Sequence, residues 1–230
     1  MAGKITMMSG LALRGALENV VLPAFEKETG LKVEVRWDPT TVIMQELAKG
    51  AKPDIVIVTD KATDELKQKG AIVPDSPTPL AQAVLGLAVR RGDPKPDVST
   101  TDAFSKALVN ARSVAYSRAG ASGIYLEKLI DRFGVGEQVR AKATVIPAGF
   151  TAEQLVNGKA DLAVQQISEL VVVDGIEVVG PFPPEVQSAT PFIAAIIKDS
   201  PQAEASARLI KAMATPAAQK AYEESGLVLG

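Results

Sequence analysis

Four apolar residues stand in a row at Ile55-Val56-Ile57-Val58, introduced by Pro53-Asp54 and closed by Thr59-Asp60-Lys61. Their β-branched side chains favour an extended backbone. Because no polar residue alternates with them, both faces of such a strand must be covered. A sheet covered on both faces is the α/β arrangement, in which helices carry the chain between parallel strands. The flanking sequence agrees. Ile5 to Ser9 reads as a strand and leads through Ser9-Gly10-Leu11-Ala12 into a helix ending near Thr29. Leu13, Leu17, Val20, Val21 and Phe25 mark that helix's buried face, Pro23 predicts a kink and Gly30 a stop. Lys32 to Trp37 alternates charged and apolar residues, as a half-exposed strand does. Asp38-Pro39-Thr40-Thr41 then opens a helix from about Thr41 to Lys49, and another helix follows the apolar run as far as Lys69 and Gly70. Three βα units in succession predict a parallel sheet.

The second half repeats the pattern. Val73 to Pro79 holds Pro74, Pro77 and Pro79 and reads as irregular, whereas Ala81 to Arg91 is a long apolar strand. A helix near Thr101 to Asn110 precedes a strand, Ser113 to Tyr116. Further strands are expected at Ala143 to Ile146, Leu162 to Gln166 and Glu177 to Val179, with a helix near Thr151 to Asn157. Pro181 to Pro184 makes a corner, Gln187 to Lys198 a second long strand, and helices near Gln202 to Ala214 and Pro216 to Ser225 close the chain. The two long strands, at 81–91 and 187–198, bracket the second set of βα units. The simplest topology is two α/β lobes, residues 1–81 plus 193–230 and residues 82–192, joined by those strands. In open α/β sheets ligands sit beyond the carboxyl ends of the strands, so a ligand cleft between the lobes is expected.

The stretch from Ser113 to Gly134 shows what such a strand end offers. Its strand turns through Ser117-Arg118-Ala119-Gly120-Ala121 into a helix from about Ser122 to Phe133, with Ser122 as the expected N-cap and Gly134 just past the end. Ile124, Leu126, Leu129, Ile130 and Phe133 mark its buried face. Backbone N–H groups at the start of a helix lack acceptors and sit at the positive end of its dipole, which suits an anion. Arg118 adds a charged fork matched to a carboxylate. The ordinary alternative is a βα loop bearing a surface arginine.

Composition narrows the chemistry. Among 230 residues there is no histidine and no cysteine. Disulfides, thiolate chemistry and the commonest metal ligands are thereby excluded, and acid–base work would fall to Asp, Glu, Lys or Tyr. No cofactor and no metal is expected. With 25 basic and 27 acidic residues there is no basic run, so nucleic acid is not an expected partner. No stretch reaches membrane-spanning length free of charge. Met1-Ala2-Gly3-Lys4 leads straight into the first expected strand. The expected location is therefore periplasmic if a leader has been removed, and cytoplasmic otherwise.

Five phrases in order, LRGALENVVLPAFEKETG, KPDIVIVTDKATDELKQKG, ASGIYLEKLIDRFG, LVNGKADLAVQQISE and LIKAMATPAAQKAYEESG, give the chain a resemblance over its full length. It resembles the periplasmic solute-binding proteins of the molybdate-binding type, which serve ABC transporters. That resemblance implies the type II periplasmic-binding-protein fold, a small anionic ligand, a membrane transporter component as partner, and a monomer. The family holds a tetrahedral oxyanion with hydroxyls and backbone N–H groups at its βα turns. Its serine before the first helix falls here on Ala12, its second serine on Thr40, its small third-turn residue on Ser122, its apolar contact near Ala148 or Gly149, and its tyrosine on Gln166. Hydroxyls missing at Ala12 and Gln166 would leave oxyanion oxygens without partners, at on the order of 1–3 kcal/mol each. Arg118 with Gln165 and Gln166 suits a larger, planar, carboxylate-bearing ligand better than molybdate. The expected ligand-binding set is Ser9, Gly10, Ala12, Thr40, Thr41, Ser117, Arg118, Ser122, Gly123, Gly149, Gln165 and Gln166.

Two functions follow from this resemblance. One is capture of a small organic anion, di- or tricarboxylate-like, or of an oxyanion, for uptake by a transporter. The other is isomerisation of a small unsaturated carboxylic acid, because aconitate isomerase also looks similar to molybdate-binding proteins. An effector domain of a transcription regulator shares the architecture, but no DNA-binding segment accompanies it here. An isomerase needs a base for an allylic proton and donors that hold the resulting dienolate. Asp38, Asp60, Lys61, Tyr116 and Glu169 are the candidate bases, each with an ordinary reading as a turn cap or surface charge.

Overall fold

The computed structural model describes residues 3–229. Ten strands run in chain order: β1 Lys4–Ser9, β2 Lys32–Trp37, β3 Ile55–Thr59, β4 Thr78–Arg90, β5 Val114–Ser117, β6 Thr144–Ile146, β7 Leu162–Gln166, β8 Ile176–Pro181, β9 Ala189–Ile196 and β10 Leu227–Val228. The chain divides into two compact units. One holds the residues up to Ala83 and those from Thr190 onward, and the other holds Val84–Ala189. The boundaries fall within β4 and at the start of β9.

In the first unit β1 pairs in parallel with β2 and with β3, and β9 runs antiparallel to β3, so the expected parallel sheet is present with one antiparallel neighbour. Ile55, Val56, Ile57 and Val58 are all fully buried. Ile55 and Ile57 join one apolar cluster with Leu13, Leu17, Phe25 and Tyr222, while Val56 and Val58 join another with Ile43 and Leu66. That split is the two-sided burial demanded by an apolar run without alternation. Asp54, at the foot of β3, accepts from the Thr6 N–H, the Thr6 hydroxyl and the Ser200 hydroxyl at 2.8, 2.8 and 2.6 Å. The first helical segment opens with a 3-10 turn, Leu11–Leu13, and contains a π-helical turn, Leu17–Val21, before the α-helix Leu22–Thr29. Pro23 has no N–H to return to the preceding turn. A widened turn, Leu17–Val21, stands shortly before it. Val20, expected on the buried face, is exposed because the π turn rotates it outward.

The second unit holds β5 in parallel with β6 and β7, and the later part of β4 runs antiparallel to both β7 and β8. β4 begins at Thr78, inside the stretch expected to be irregular, and β9 starts at Ala189, two residues late, because Pro184–Val186 forms a 3-10 turn. Phe104, Tyr116, Leu126 and Val164 centre the larger apolar cluster. Ile124, expected in that face, is exposed. Two short helices went unread in the sequence, Gly136–Arg140 and Ile167–Leu170. No described helix is long and apolar enough to cross a membrane.

Candidate functional site

The residues expected to bind a ligand divide between the units. Ser9, Gly10, Ala12, Thr40 and Thr41 lie in the first unit and the remainder in the second. The Ser9 hydroxyl is buried and donates to the Gly10 carbonyl, and the Gly10 N–H donates to the Ile57 carbonyl at 2.9 Å. The Ala12 methyl is packed in the apolar cluster beside Leu13 and Leu17. The side chain therefore belongs to the core, and any part Ala12 has in the expected ligand-binding set falls to its backbone. Thr40 is the first residue of the helix Thr40–Ala48, half-buried, and Thr41 beside it is exposed.

In the second unit the helix Ala121–Arg132 starts one residue earlier than expected, and Ser122 lies inside it, buried. The N-cap position falls on Gly120, which has no side chain to cap with, and the Ser117 hydroxyl at the end of β5 accepts from the Gly120 N–H at 3.1 Å. Ser122 is therefore corrected from N-cap to second helical residue. The N–H groups of Ala121, Ser122 and Gly123 have no acceptor among the described residues, as the start of a helix dictates. Gly123 packs directly on the strand, since a Cβ there would lie 1.7 Å from the Ser117 carbonyl oxygen. The Arg118 N–H donates to the Ile146 carbonyl at 2.8 Å, and its side chain is exposed toward a groove described below.

The turn after β7 holds an unusual set of buried polar groups. Gln165 and Gln166 are neighbours on a strand, so their side chains leave on opposite faces. The Gln165 carbonyl oxygen accepts from the Thr151 N–H at 2.8 Å and the Thr151 hydroxyl at 3.0 Å, and its amide nitrogen donates to the Gly149 carbonyl at 2.9 Å. Gln165 thus ties down the Gly149–Thr151 turn, in which Gly149 has a left-handed φ of 99°, and its expected role as a ligand donor is corrected to positioning. Gln166 is buried as well, at 2% exposure, but its amide nitrogen has no hydrogen-bond partner. The amide is therefore not a solvated polar group. The buried Ser168 hydroxyl is likewise without a partner.

Glu169 completes the turn. It is the third residue of the helix Ile167–Leu170, and its carboxyl reaches back to the Gln166 N–H and to the Gln165 side chain, as in a capping box. Burial pushes its pKa up to about 8, outweighing both hydrogen bonds. Around neutral pH it therefore carries a proton. The other candidate bases differ. Asp38 is paired with Arg36 at 2.5 Å, Asp60 and Lys61 begin the helix Asp60–Gln68, and the buried Tyr116 phenol is pushed further up by desolvation and by its bond to Glu127. The signal for Glu169 was its place three residues after a strand end, but Gln166 is not a usual capping residue and so hid the box.

A larger cavity, about 750 Å³, lies between the Asp93–Thr100 loop and the helix Thr101–Asn110. Its Asp93, Asp97, Asp102 and Asp161 are already engaged by Arg90, the Ser99 N–H, Lys106 and the Arg112 and Ser113 N–H groups. Among the described residues no three acidic groups stand together so as to hold a metal ion.

Residues 5–228 match the profile of the bacterial extracellular solute-binding protein family. The chain is 37% identical over 229 residues to the aconitate isomerase of a Pseudomonas species, covering 97% of this chain and 87% of that protein. It is 25% identical over 205 residues to the molybdate-binding protein of Escherichia coli strain K12, covering 85% of this chain and 78% of that protein. Among solved structures, the periplasmic molybdate-binding protein of Azotobacter vinelandii superposes with a TM-score of 0.80 at 19% identity, covering 98% of this chain and 99% of the other. The fold is therefore that of the periplasmic binding proteins.

Proposed function

The chain belongs to the family of bacterial extracellular solute-binding proteins, and from that premise we propose that it captures a small organic polycarboxylate for delivery to a membrane transporter, as a periplasmic protein. The observation that carries this reading is the buried Gln166 amide without an acceptor. A buried donor left unpaired costs about 1–3 kcal/mol, and a ligand oxygen removes that penalty. An amide presents two N–H donors in one plane, which suits a planar carboxylate. Glu169, protonated near neutral pH, adds no negative charge against an anion. The Ser168 hydroxyl supplies a further donor, and the free N–H groups of Ala121, Ser122 and Gly123 supply more at a second turn of the same unit.

Calorimetric titration tests the reading. Citrate or aconitate should bind more tightly than molybdate. Gln166→Leu should weaken the carboxylate about 10- to 100-fold, as loss of a hydrogen bond to a charged group does. Molybdate binding more tightly than any of these acids, or a Gln166→Leu protein with unchanged affinity, would remove the basis for a carboxylate ligand.

A second reading, isomerisation of an unsaturated carboxylic acid, is favoured by Glu169 together with the 37% identity to an aconitate isomerase. The ionised Glu169 would take an allylic proton from the bound acid. The electron pair left behind spreads into the adjacent carboxylate as a dienolate, which the nearby donors stabilise. Return of the proton at the other end of the allyl system moves the double bond, with no redox change and no cofactor. A base with a pKa of about 8 is mostly protonated at pH 7, so the rate should rise with pH and level off above about 8. Proton NMR of aconitate in D₂O reads the exchange. Glu169→Gln should still bind the acid but exchange it about 10²- to 10⁴-fold more slowly. Binding without any exchange by the unaltered protein would leave capture alone standing.

A further inference from the structure

A second cavity, about 510 Å³, lies wholly within the second unit. Gln165, Gln166, Ser168 and Glu169 do not line it. Tyr116 of β5 and Val145 of β6 contribute to it, β6 being the outermost of the three parallel strands. Gly123, Ile124, Glu127 and Lys128 line it from the helix Ala121–Arg132, at the spacing that puts them on one face. Arg118 and Arg140 complete it.

The charges there are unequal. The Tyr116 hydroxyl donates to the Glu127 carboxylate. Arg140 Nε donates to the same carboxylate at 2.6 Å, and Arg140 Nη2 donates to Asp131 at 2.5 Å. Glu127 and Arg140 therefore satisfy each other, and Tyr116 is held in the same chain. Arg118 and Lys128 have no acidic partner among the described residues. Arg118 lines the same groove as the Tyr116 ring. The Arg118 backbone is fixed by its N–H bond to Ile146. The groove thus offers two uncompensated cations, one with a bidentate fork, beside a phenol that the Glu127–Arg140 pair immobilises.

We propose that this groove is a second anion site, which takes a small dianion through Arg118 and Lys128. The chemistry recognised is two negative charges on oxygen, carried by a phosphate group or by a dicarboxylate. The proposal does not depend on the role given to Gln166.

The experiment titrates inorganic phosphate and, separately, succinate into the ¹⁵N-labelled chain at 0.15 M NaCl, and follows the amides of Ile124, Lys128 and Val145. Saturable shifts with either ion are expected in the unaltered protein and equally in Gln166→Leu. Response to phosphate alone would assign the site to phosphate-bearing ligands, and response to succinate alone to dicarboxylates; both support it. Arg118→Gln with Lys128→Gln should weaken the response about ten-fold or more, with the melting temperature unchanged because both side chains are exposed. No saturable shift with either ion, or shifts that persist unweakened in the double variant, would overturn the proposal. Loss of the shifts in Gln166→Leu would overturn it too, since the groove would then not be a separate site.

Discussion

Replacing Gly123 by alanine is expected to cost about 3 kcal/mol of stability or more, the upper end of what overpacking does. The added Cβ would sit 1.7 Å from the Ser117 carbonyl oxygen, 2.8 Å from its carbon and 3.3 Å from its nitrogen. All three are backbone atoms, so no side chain can turn aside. Ser117 cannot retreat easily either, since it pairs with Ile146 in the sheet and its hydroxyl holds the Gly120 N–H. The helix would have to slide off β5, dragging with it the N–H groups of Ala121 and Ser122. Two other glycines calibrate the effect. At Gly10 a Cβ would meet the Phe192 ring at 2.6 Å, and at Gly86 it would meet the Ile167 side chain at 2.5 Å. The Phe192 ring and the Ile167 chain have some freedom, so Gly10→Ala should cost least, and Gly86→Ala, where the Gly180 carbonyl oxygen also stands at 3.1 Å, should fall between the other two. Urea unfolding of the three variants gives the order. A loss below about 1 kcal/mol in Gly123→Ala would show that the strand–helix contact is looser than described.

How much of this was legible in the sequence differs between fold and site. Periodicity carries burial well where packing is regular. The run at Ile55–Val58 is fully buried on two sides, as its lack of alternation required. It fails where the backbone departs from a regular helix. Val20 is exposed within a π turn that lies shortly before Pro23. Ile124 is exposed because it faces the groove rather than the sheet. A cap was misread where the helix starts a residue early, so that the N-cap falls on Gly120 and Ser122 lies inside the helix.

The site was legible as places rather than as roles. The turn containing Gln165 and Gln166 was marked out, but adjacent strand residues face opposite ways, and only the packed structure shows which of the two is tied to Thr151 and Gly149. Glu169 was one carboxylate among several. Its difference from Asp38 or Asp60 is burial, which is set by how the turn after β7 packs and not by the local sequence. Ala12 could be placed by resemblance but not oriented, and its methyl belongs to the core.

That burial makes the stability of the protein fall as pH rises, and Glu169 should account for most of the change between pH 5 and 8. Its pKa is about 8 in the folded protein and near the ordinary 4.5 in the unfolded chain. Within that window the folded state holds a proton that the unfolded state has lost. Stability therefore declines with pH by up to about 1.4 kcal/mol per pH unit, and levels off above about 8. The full effect is about 5 kcal/mol, an upper bound because water can relax around a buried charge. Little else in the chain titrates there, since it has no histidine and no cysteine. Glu26, Glu46 and Glu177 are held below the usual carboxylate range, chiefly by hydrogen bonds from Lys32, Lys49 and Lys95. Their contributions are present above the unfolded value and fade only as pH falls below it, outside the window. Glu169→Gln keeps an oxygen to accept from the Gln166 N–H and removes the titration. Urea unfolding at pH 5, 7 and 8.5 should show a steep decline for the unaltered protein and a nearly flat profile for the variant, which becomes the more stable of the two at pH 8.5. Parallel profiles for the two proteins would mean that Glu169 is solvated and ionised like any surface carboxylate, and would remove it as a proton carrier in the isomerase reading as well.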